Sequence, residues 1–277
     1  MWKPCSFLLI SLLSFNSLAQ AVIKNGAEPL IKNRADPWVY RAAADSYYFT
    51  ASVPEFDRIE LRQSSSIKGL AQAAPKVIWR KKDKGPMSAN IWAPELHRID
   101  GSWYIYFAAG KSEEAFHIRT YVLKNSSVDP LQGEWQELGP LNTGWDSFNL
   151  DATHFEHQGQ HYLVWAQQDK NQSYNSALWI AKMRSATELE LPATLLTEPT
   201  LDWEVLGYKV NEGPAVLIKN GKVWLAYSAS ATDHRYAMGL LSAAADADLL
   251  KTESWTKASK PVFYTNDSLK RFGPGHN

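Results

Sequence analysis

Three acidic residues stand at the front of stretches in which apolar and polar side chains alternate. They are Asp36 in "RADPWVY", Asp151 in "NLDATHFEH" and Glu212 in "NEGPAVLIK". If such carboxyl groups converge on one cavity, each disfavours ionisation of the others, and at least one binds its proton more tightly. One carboxyl group can then act as an acid while another acts as a base. These three residues are therefore the first candidates for acid–base catalysis.

The segments that must position these acids recur along the chain. Each has a Gly or Asp turn followed by alternating aromatic and aliphatic residues, which predicts the second strand of a β-hairpin. The four segments are "ADSYYFTAS", "DGSWYIYFAAG", "QGQHYLVWAQ" and "NGKVWLAYSAS". Three of them follow a predicted partner strand, namely "APELHRI", "DATHFEH" and "GPAVLIK".

Hairpins that repeat over a whole chain favour an all-β fold, the β-propeller. A β-sandwich is the alternative, but its strands should recur every 8–12 residues without a longer period. Four units are clear, and a fifth would have to begin near "SLKRFGPGHN". Because the innermost strands of a propeller line its central channel, we expect the three acids to meet at one end of that channel.

The composition narrows the possible functions. The 277 residues include 29 basic and 29 acidic side chains, so a zero net charge gives no support for a nucleic-acid partner. The 12 Trp, 12 Tyr and 10 Phe suit a β-rich fold and a surface that stacks on flat ligand faces. No HExxH, P-loop, GxGxxG or GxSxG motif is present.

The first 21 residues have the pattern of a secretory signal peptide. Lys3 precedes an apolar run that ends in small residues, with cleavage expected after Ala19 or Ala21. The single cysteine, Cys5, lies inside this segment. We therefore expect residues 22–277 to form one catalytic propeller domain that is secreted or periplasmic, with no disulfide and no membrane association after cleavage.

The ordered set of motifs resembles glycoside hydrolase family 43, whose members attack arabinose- and xylose-containing polysaccharides. The matching stretches are "RADPWVY", "IWAPELHRIDGSWYIYFAA", "LDATHFEHQGQHYLVWA", "NEGPAVLIKNGKVWLAYSAS" and "FGPGHN". The resemblance implies a five-bladed β-propeller. The family's chain continues past the last motif into the closing blade, so we expect the fifth blade to be incomplete at the C-terminus.

The resemblance also assigns roles to the three acids. Asp36 matches the family's general base, which activates water, and Glu212 matches its general acid, which protonates the leaving oxygen. Asp151 matches the third carboxylate, which orients the acid and tunes its proton affinity. Because the family inverts anomeric configuration, the carboxyl groups of Asp36 and Glu212 should lie about 6.5–9.5 Å apart.

Two further residues enter through the resemblance. His276 matches a histidine that reaches the propeller axis and helps to hold a cation, often calcium, through water. Since calcium prefers oxygen ligands, a histidine alone is a weak argument for it, and the chemistry requires no cofactor. Trp92 lies where the family lines its sugar pocket, and an indole can stack on a pentose ring. A core position between blades is its alternative, and Glu95 in the same motif could meet sugar hydroxyls or serve a structural hydrogen bond.

His154, His157 and His161 have a spacing that would share a face on a helix, as in a zinc site. Gly159 and the alternating pattern predict a hairpin there instead, in which the three side chains need not converge.

We therefore expect an inverting glycoside hydrolase that releases α-L-arabinofuranosyl residues from arabinan or arabino-oligosaccharides. A β-xylosidase or an endo-arabinanase of the same family would use the same acids. A carbohydrate-binding propeller without catalysis is an alternative from another class of function.

Overall fold

A computed structural model describes residues 29–276, in which the propeller begins at Asn33. The predicted signal peptide, with Cys5, lies outside the described residues. All pairs between the named strands are antiparallel, and the strands form four sheets. Among residues 29–276, no helix has the length and apolar character needed to cross a membrane.

The first two sheets each have four strands in chain order. The strands of the first sheet are β1 (Ala35–Ala43), β2 (Ser46–Ser52), β3 (Arg58–Ser64) and β4 (Lys76–Arg80). Those of the second sheet are β5 (Pro86–Ile99), β6 (Ser102–Lys111), β7 (Glu114–Asn125) and β8 (Gln136–Pro140).

The third sheet has five strands, and the fourth has four. The strands of the third sheet are β9 (Asn149–His157), β10 (Gln160–Gln167), β11 (Ala177–Ser185), β12 (Glu188–Leu189) and β13 (Thr194–Thr197). Those of the fourth sheet are β14 (Asn211–Lys219), β15 (Lys222–Ala229), β16 (Ala237–Ala244) and β17 (Thr256–Lys257). Short 3-10 helices lie at Lys68–Ala71, Asp202–Glu204 and Thr252–Ser254.

The predicted hairpins are confirmed. The four repeated aromatic segments fall on β2, β6, β10 and β15, each the second strand of its sheet. The three predicted partner strands fall on β5, β9 and β14. Period-2 alternation located these strands correctly because alternate side chains of a strand share one face, and in β10 each face packs against a different cluster.

Apolar side chains join successive sheets face to face. One cluster joins the first and second sheets around Trp79 and Trp103, and another joins the second and third around Tyr106 and Trp165. A third cluster extends from Ala108 through the third sheet into the fourth. Successive sheets packed in this way are the blades of a propeller.

The predicted count of five blades is not confirmed, because residues 29–276 form four. After β17, residues 258–276 pair only through the isolated bridges Met238–Phe263 and Asn266–Arg271. This segment contains Pro261 and Pro274, which lack the backbone N–H that a strand ladder requires. None of the three apolar clusters in the described residues combines the first sheet with the fourth.

Candidate active site

The first strand of every sheet carries a β-bulge at the same place. Ala35 pairs with Ser52 and Trp38 pairs with Thr50, so β1 has one more residue between these two pairs than β2 has. The corresponding strands of the other sheets have the same interruption. The bulge residues, with left-handed φ angles of 52°, 44°, 55° and 54°, are Asp36, Ala93, Asp151 and Gly213. Since a bulge redirects a side chain, this device turns two aspartates toward the centre.

The register also locates Glu212. This residue lies one position before the bulge residue of its strand, as Ala35, Trp92 and Leu150 do in theirs. Asp36 and Asp151 are thus structurally equivalent, whereas Glu212 is offset by one residue. The bulge residues Asp36 and Asp151 and the preceding-position residue Glu212 all line one cavity of about 580 Å³.

Asp36 is held by partners that favour its charged form. Ser52 Oγ donates to Asp36 Oδ2 at 2.5 Å and accepts a hydrogen bond from the Ala93 N–H at 2.8 Å. His276 Nδ1 lies 3.2 Å from Oδ1, and the Asp36 side chain is 22% exposed. Burial alone would raise the pKa of Asp36, but His276 and these hydrogen bonds hold it below its ordinary value. Asp36 is therefore ionised at neutral pH.

Asp151 lies deeper, with a side chain only 3% exposed. Its Oδ2 accepts a hydrogen bond from the Gly213 N–H at 3.0 Å and lies 3.7 Å from His276 Nδ1. Burial raises the pKa of Asp151 to about 6; His276 opposes this rise, and the charge of Asp36 adds to it. A backbone N–H of the fourth sheet thus holds the side chain of Asp151, which belongs to the third sheet.

Glu212 has fewer compensating partners. The Tyr236 hydroxyl donates to Glu212 Oε1 at 2.8 Å. Burial, and then the charge of Asp151, raise the pKa of Glu212 to about 7, while the Tyr236 hydrogen bond acts in the opposite direction. Near neutral pH, one carboxyl group of the cavity therefore retains a proton while Asp36 has lost its own.

His276 lies between the two aspartates, with a side chain 9% exposed. Its backbone N–H donates to Ser228 Oγ at 2.7 Å. A Cβ atom at Gly213 would approach His276 Cγ to 3.0 Å, so the left-handed bulge residue must also be a glycine here. Burial disfavours the imidazolium, but Asp151 and Asp36 raise the pKa of His276 to about 10. The ring therefore supplies the positive charge of the cluster.

Aromatic rings form part of the cavity wall. Trp92 lines the cavity together with Phe56 and Phe148. The Trp92 ring meets Phe56 at a centroid distance of 6.0 Å and an interplanar angle of 84°, and it meets Phe116 at 6.3 Å and 61°. Trp92 thus lies at the cavity, as the resemblance implies, and its role in sugar binding stays a prediction.

Glu95 is 3% exposed and is not among the residues that line the cavity. Its Oε2 lies 3.0 Å from His97 Nε2. Burial raises the pKa of Glu95 to about 8 and lowers that of His97 to about 3, so both are neutral near pH 7. The structural hydrogen bond is the interpretation that this position favours.

The three histidines of the third sheet do not converge. His154 Nε2 lies 2.9 Å from His161 Nδ1, whereas His157 Nε2 contacts the Ala245 carbonyl oxygen at 2.6 Å. Among residues 29–276, no three His, Cys, Asp or Glu side chains are arranged to hold a metal ion. The His276 ring also does not fit a direct calcium bond, since its Nδ1 faces two carboxylates and an imidazolium has no free lone pair.

Sequence reasoning missed Ser52, Ser228, Gly213 and Tyr236. Ser52 pairs with Ala35 and Ser228 pairs with Glu212, so the two serines occupy equivalent positions on β2 and β15. No local signal locates this pair, because aligning the endings of "FTAS" and "YSAS" would match Ser52 with Ser230 instead of Ser228. Tyr236 carries no such signal, because only the folded chain brings it to Glu212.

Comparison with known proteins identifies the family of this chain. The sequence profile of glycosyl hydrolases family 43 matches residues 27–277. An extracellular exo-α-(1→5)-L-arabinofuranosidase from Streptomyces chartreusis is 49% identical over 239 residues, which cover 86% of this chain and 73% of that protein. Its namesake from Streptomyces avermitilis is 51% identical over 239 residues, and the chain spans half of that relative's length.

A solved structure supports the same assignment. The α-L-arabinofuranosidase from Lactobacillus brevis is 48% identical, with a TM-score of 0.88. The match covers 92% of this chain and 81% of that structure. Since the family profile covers nearly the whole described propeller, this chain belongs to glycosyl hydrolases family 43.

Proposed function

We propose that the chain is an exo-acting α-L-arabinofuranosidase that hydrolyses terminal arabinofuranosyl residues of arabinan or arabino-oligosaccharides. The observation that carries this proposal is the shared cavity, in which Asp36 has a lowered pKa and Glu212 a raised one. Two carboxyl groups in opposite protonation states are what acid–base glycoside hydrolysis requires. The names of the relatives support arabinofuranose as the sugar.

Asp36 acts as the general base and Glu212 as the general acid. Asp36 accepts a proton from a water molecule as the water oxygen bonds to the anomeric carbon. The glycosidic bond breaks at the same time, and Glu212 donates its proton to the leaving oxygen. Attack on the face opposite the leaving group inverts the anomeric configuration, and a carboxyl separation of about 6.5–9.5 Å leaves room for the water.

Asp151 and His276 adjust these two groups. The charge of Asp151 helps to keep Glu212 protonated, and its bond to the Gly213 N–H fixes the backbone beside Glu212. His276 stabilises the ionised form of Asp36. Trp92 offers an apolar ring to one face of the bound pentose.

Hydrolysis of linear α-1,5-arabinan tests the activity, with the released sugars separated by chromatography and their anomeric form followed by proton NMR. Arabinose released first as the inverted anomer is expected. Longer products would favour an endo-arabinanase, and xylose from xylo-oligosaccharides would favour a β-xylosidase. Binding without any release would favour the non-catalytic propeller.

Asp36→Ala should reduce turnover of arabino-oligosaccharides by about 10²–10⁴-fold, because it removes the general base. Binding of the substrate, measured by calorimetry, should remain close to the wild-type value. A variant with near-native turnover would contradict the assignment of the base.

The calcium ion implied by the resemblance stays a prediction. Calcium would have to be held through water, since the Nδ1 atom of His276 faces carboxylates. It would supply a fixed positive charge at the axis. Turnover and the melting temperature after treatment with EDTA, with and without added calcium, test this prediction, because a bound ion stabilises the folded protein.

We also infer that the protein works outside the cytoplasmic membrane, as a secreted or periplasmic enzyme. The predicted signal peptide and the word extracellular in the names of two relatives support this location. Fractionation of the source cells, with arabinofuranosidase activity as the marker, tests it.

The fifth blade likewise stays a prediction. Trp38 and Val216 pack toward the neighbouring sheets, so the next residues along their strands, Val39 and Leu217, point the other way. Val39 is 41% exposed and Leu217 is 59% exposed. A further blade between the fourth and first sheets would cover both side chains.

A further inference from the structure

A second depression lies outside the central cavity and shares no lining residue with it. It has a volume of about 510 Å³. Its lining residues are Trp145, Asp146, Asp169, Lys170, Asn171 and Trp179. A neighbouring depression of about 350 Å³ shares Trp145 and Asp146 with it, so the two are adjacent, and together they are called the groove.

Two half-buried tryptophans define the groove. The rings of Trp145 and Trp179 lie 4.8 Å apart between centroids, with an interplanar angle of 74°. Trp145 Nε1 donates to the Gln168 carbonyl oxygen at 2.9 Å, and Trp179 Nε1 donates to the Gln167 carbonyl oxygen at 3.3 Å. Because the backbone already satisfies both indole N–H groups, what the rings offer to a ligand is apolar surface.

A buried amide holds this arrangement in place. Gln167 is fully buried, and its Nε2 donates to the Trp145 carbonyl oxygen at 3.0 Å and to Ser147 Oγ at 3.1 Å. Its Oε1 accepts a hydrogen bond from Trp165 Nε1 at 2.7 Å. The loop that carries Trp145 is therefore fixed before any ligand arrives, which reduces the entropy cost of binding.

The rim of the groove is polar but nearly balanced in charge. Arg119 Nε donates to Asp146 Oδ1 at 2.6 Å, and Asp169 Oδ1 accepts hydrogen bonds from the backbone N–H and the side-chain amide of Asn171. Lys170 is exposed. Fixed aromatic surface beside amide, carboxylate and ammonium groups suits an uncharged ligand that has apolar C–H faces and many hydroxyl groups.

We propose that this Trp145–Trp179 groove is a second carbohydrate-binding site, which holds a polysaccharide strand outside the central cavity. The choice of arabinan as its ligand rests on the proposed function, whereas the argument for a carbohydrate site rests on the groove residues alone. The loop between β8 and β9 carries Trp145 into the groove and Phe148 into the central cavity. A polymer held at the groove thus stays near the acids, which raises its effective concentration there.

Binding to soluble linear arabinan tests this proposal. It is measured by affinity electrophoresis in the Glu212→Gln background, in which release of sugar should be slowed by about 10²–10⁴-fold. Xylan and a mixed-linkage β-glucan serve as parallel polymers. Trp145→Ala and Trp179→Ala should each weaken retention by arabinan about three- to tenfold. Trp179→Phe should retain most of the binding, because it keeps an aromatic face.

Trp224→Ala is the matched control, since Trp224 is also a half-buried strand tryptophan but belongs to the fourth sheet. Unchanged retention of both groove variants by all three polymers, or an equal loss in Trp224→Ala, would overturn the proposal. Hydrogen exchange on the protein with native Trp145 and Trp179 gives a test that needs no groove variant. Added arabinan should protect residues 142–148 and 169–172, and unchanged exchange there with each of the three polymers would also overturn the proposal.

The two proposals fail separately. Arabinose release without any effect of the groove tryptophans on binding would remove the second site and keep the proposed activity. Retention that depends on the groove tryptophans, in a protein that releases no arabinose, would keep the site and remove the activity. If the groove variants weaken retention by xylan or β-glucan but not by arabinan, the site stands with a different polysaccharide as its ligand.

Discussion

Glu204 and Glu212 are close in sequence, but their carboxyl groups differ in the number of hydrogen-bond donors around them. Glu204 lies in the 3-10 helix before β14, and Glu212 lies in β14. Glu204 is 0% exposed, and five donors surround its carboxylate. They are the Thr200 and Leu201 N–H groups, the Asn211 amide, the Tyr227 hydroxyl and the Lys257 ammonium. Glu212 has the Tyr236 hydroxyl as its donor and the carboxylate of Asp151 nearby.

The difference separates a structural acid from a reactive one. A buried carboxylate that accepts hydrogen bonds from a cation and several other donors holds together the segments that carry those donors. A buried carboxyl group with one donor and a like charge nearby retains its proton to a higher pH. The surroundings of these residues, rather than their residue type, determine which of them can act as an acid.

The largest expected effect is on the reactive member of the pair. Glu212→Gln should lower turnover of arabino-oligosaccharides by about 10²–10⁴-fold, because an amide cannot donate the proton. Loss on an activated aryl arabinofuranoside should be smaller, since its leaving group needs less protonation. The melting temperature should be unchanged or higher, because the amide removes a carboxyl group that is costly to ionise when buried. Equal losses on both substrates would contradict its role as the acid.

The next effect concerns the structural member. Glu204→Gln should destabilise the fold by about 2–4 kcal/mol, because it leaves the Lys257 ammonium partly buried without a counter-charge. Chemical denaturation measures this change, and turnover at a temperature where the variant is folded should be near the wild-type value. Glu188→Gln is the control, since the exposed Glu188–Arg184 pair should contribute under about 1 kcal/mol. Equal stability of both variants would remove the distinction between the two acids.

The pH dependence of kcat/KM sharpens the comparison further. Activity requires Glu212 protonated and Asp36 ionised. The raised pKa of Glu212, about 7, therefore places the alkaline limb near pH 7, with about a tenfold loss per pH unit above it. The lowered pKa of Asp36 places the acid limb below the ordinary aspartate value of about 3.9. An alkaline limb near pH 4.5 would mean that Glu212 is not the acid.

The smallest effect comes from the two tyrosines that face these acids. Tyr236→Phe removes a donor that favours charged Glu212, so the alkaline limb should move upward by about one pH unit. Tyr227→Phe removes the matching donor to Glu204 and should lower stability without moving that limb. A shift in the pH profile of the Tyr227 variant alone would mean that Glu204, and not Glu212, is the acid that controls the alkaline limb.

The sequence predicted the strands and the acids through local patterns. Alternation of aromatic and aliphatic residues identified β2, β6, β10 and β15, because alternate side chains share one face of a strand whatever its partners are. The bulges were not predictable, since an extra residue at Asp36 or Asp151 becomes visible only when the strand is paired with its neighbour.

Long-range contacts explain what else was missed. The stretch "TLLTEPTLDWEVLG" has no regular alternation, yet it contains β13 and a 3-10 helix. Glu204 within it accepts hydrogen bonds from residues of β14, β15 and β17. No local pattern signals such a role. The fifth blade is not confirmed by the described residues, since it was inferred from the resemblance rather than from strand signals in residues 258–276.

Gly213 and His276 have a consequence for what the sheets alone can do. Asp36 and His276 lie near opposite ends of the described residues, yet the charge of the base depends on the histidine that Gly213 admits. Four sheets without His276 would bring two aspartates together without this counter-ion, and their repulsion would favour protonation of the base. Correct assembly of the strands is therefore not sufficient for hydrolysis, which also depends on an imidazole that lies outside every strand.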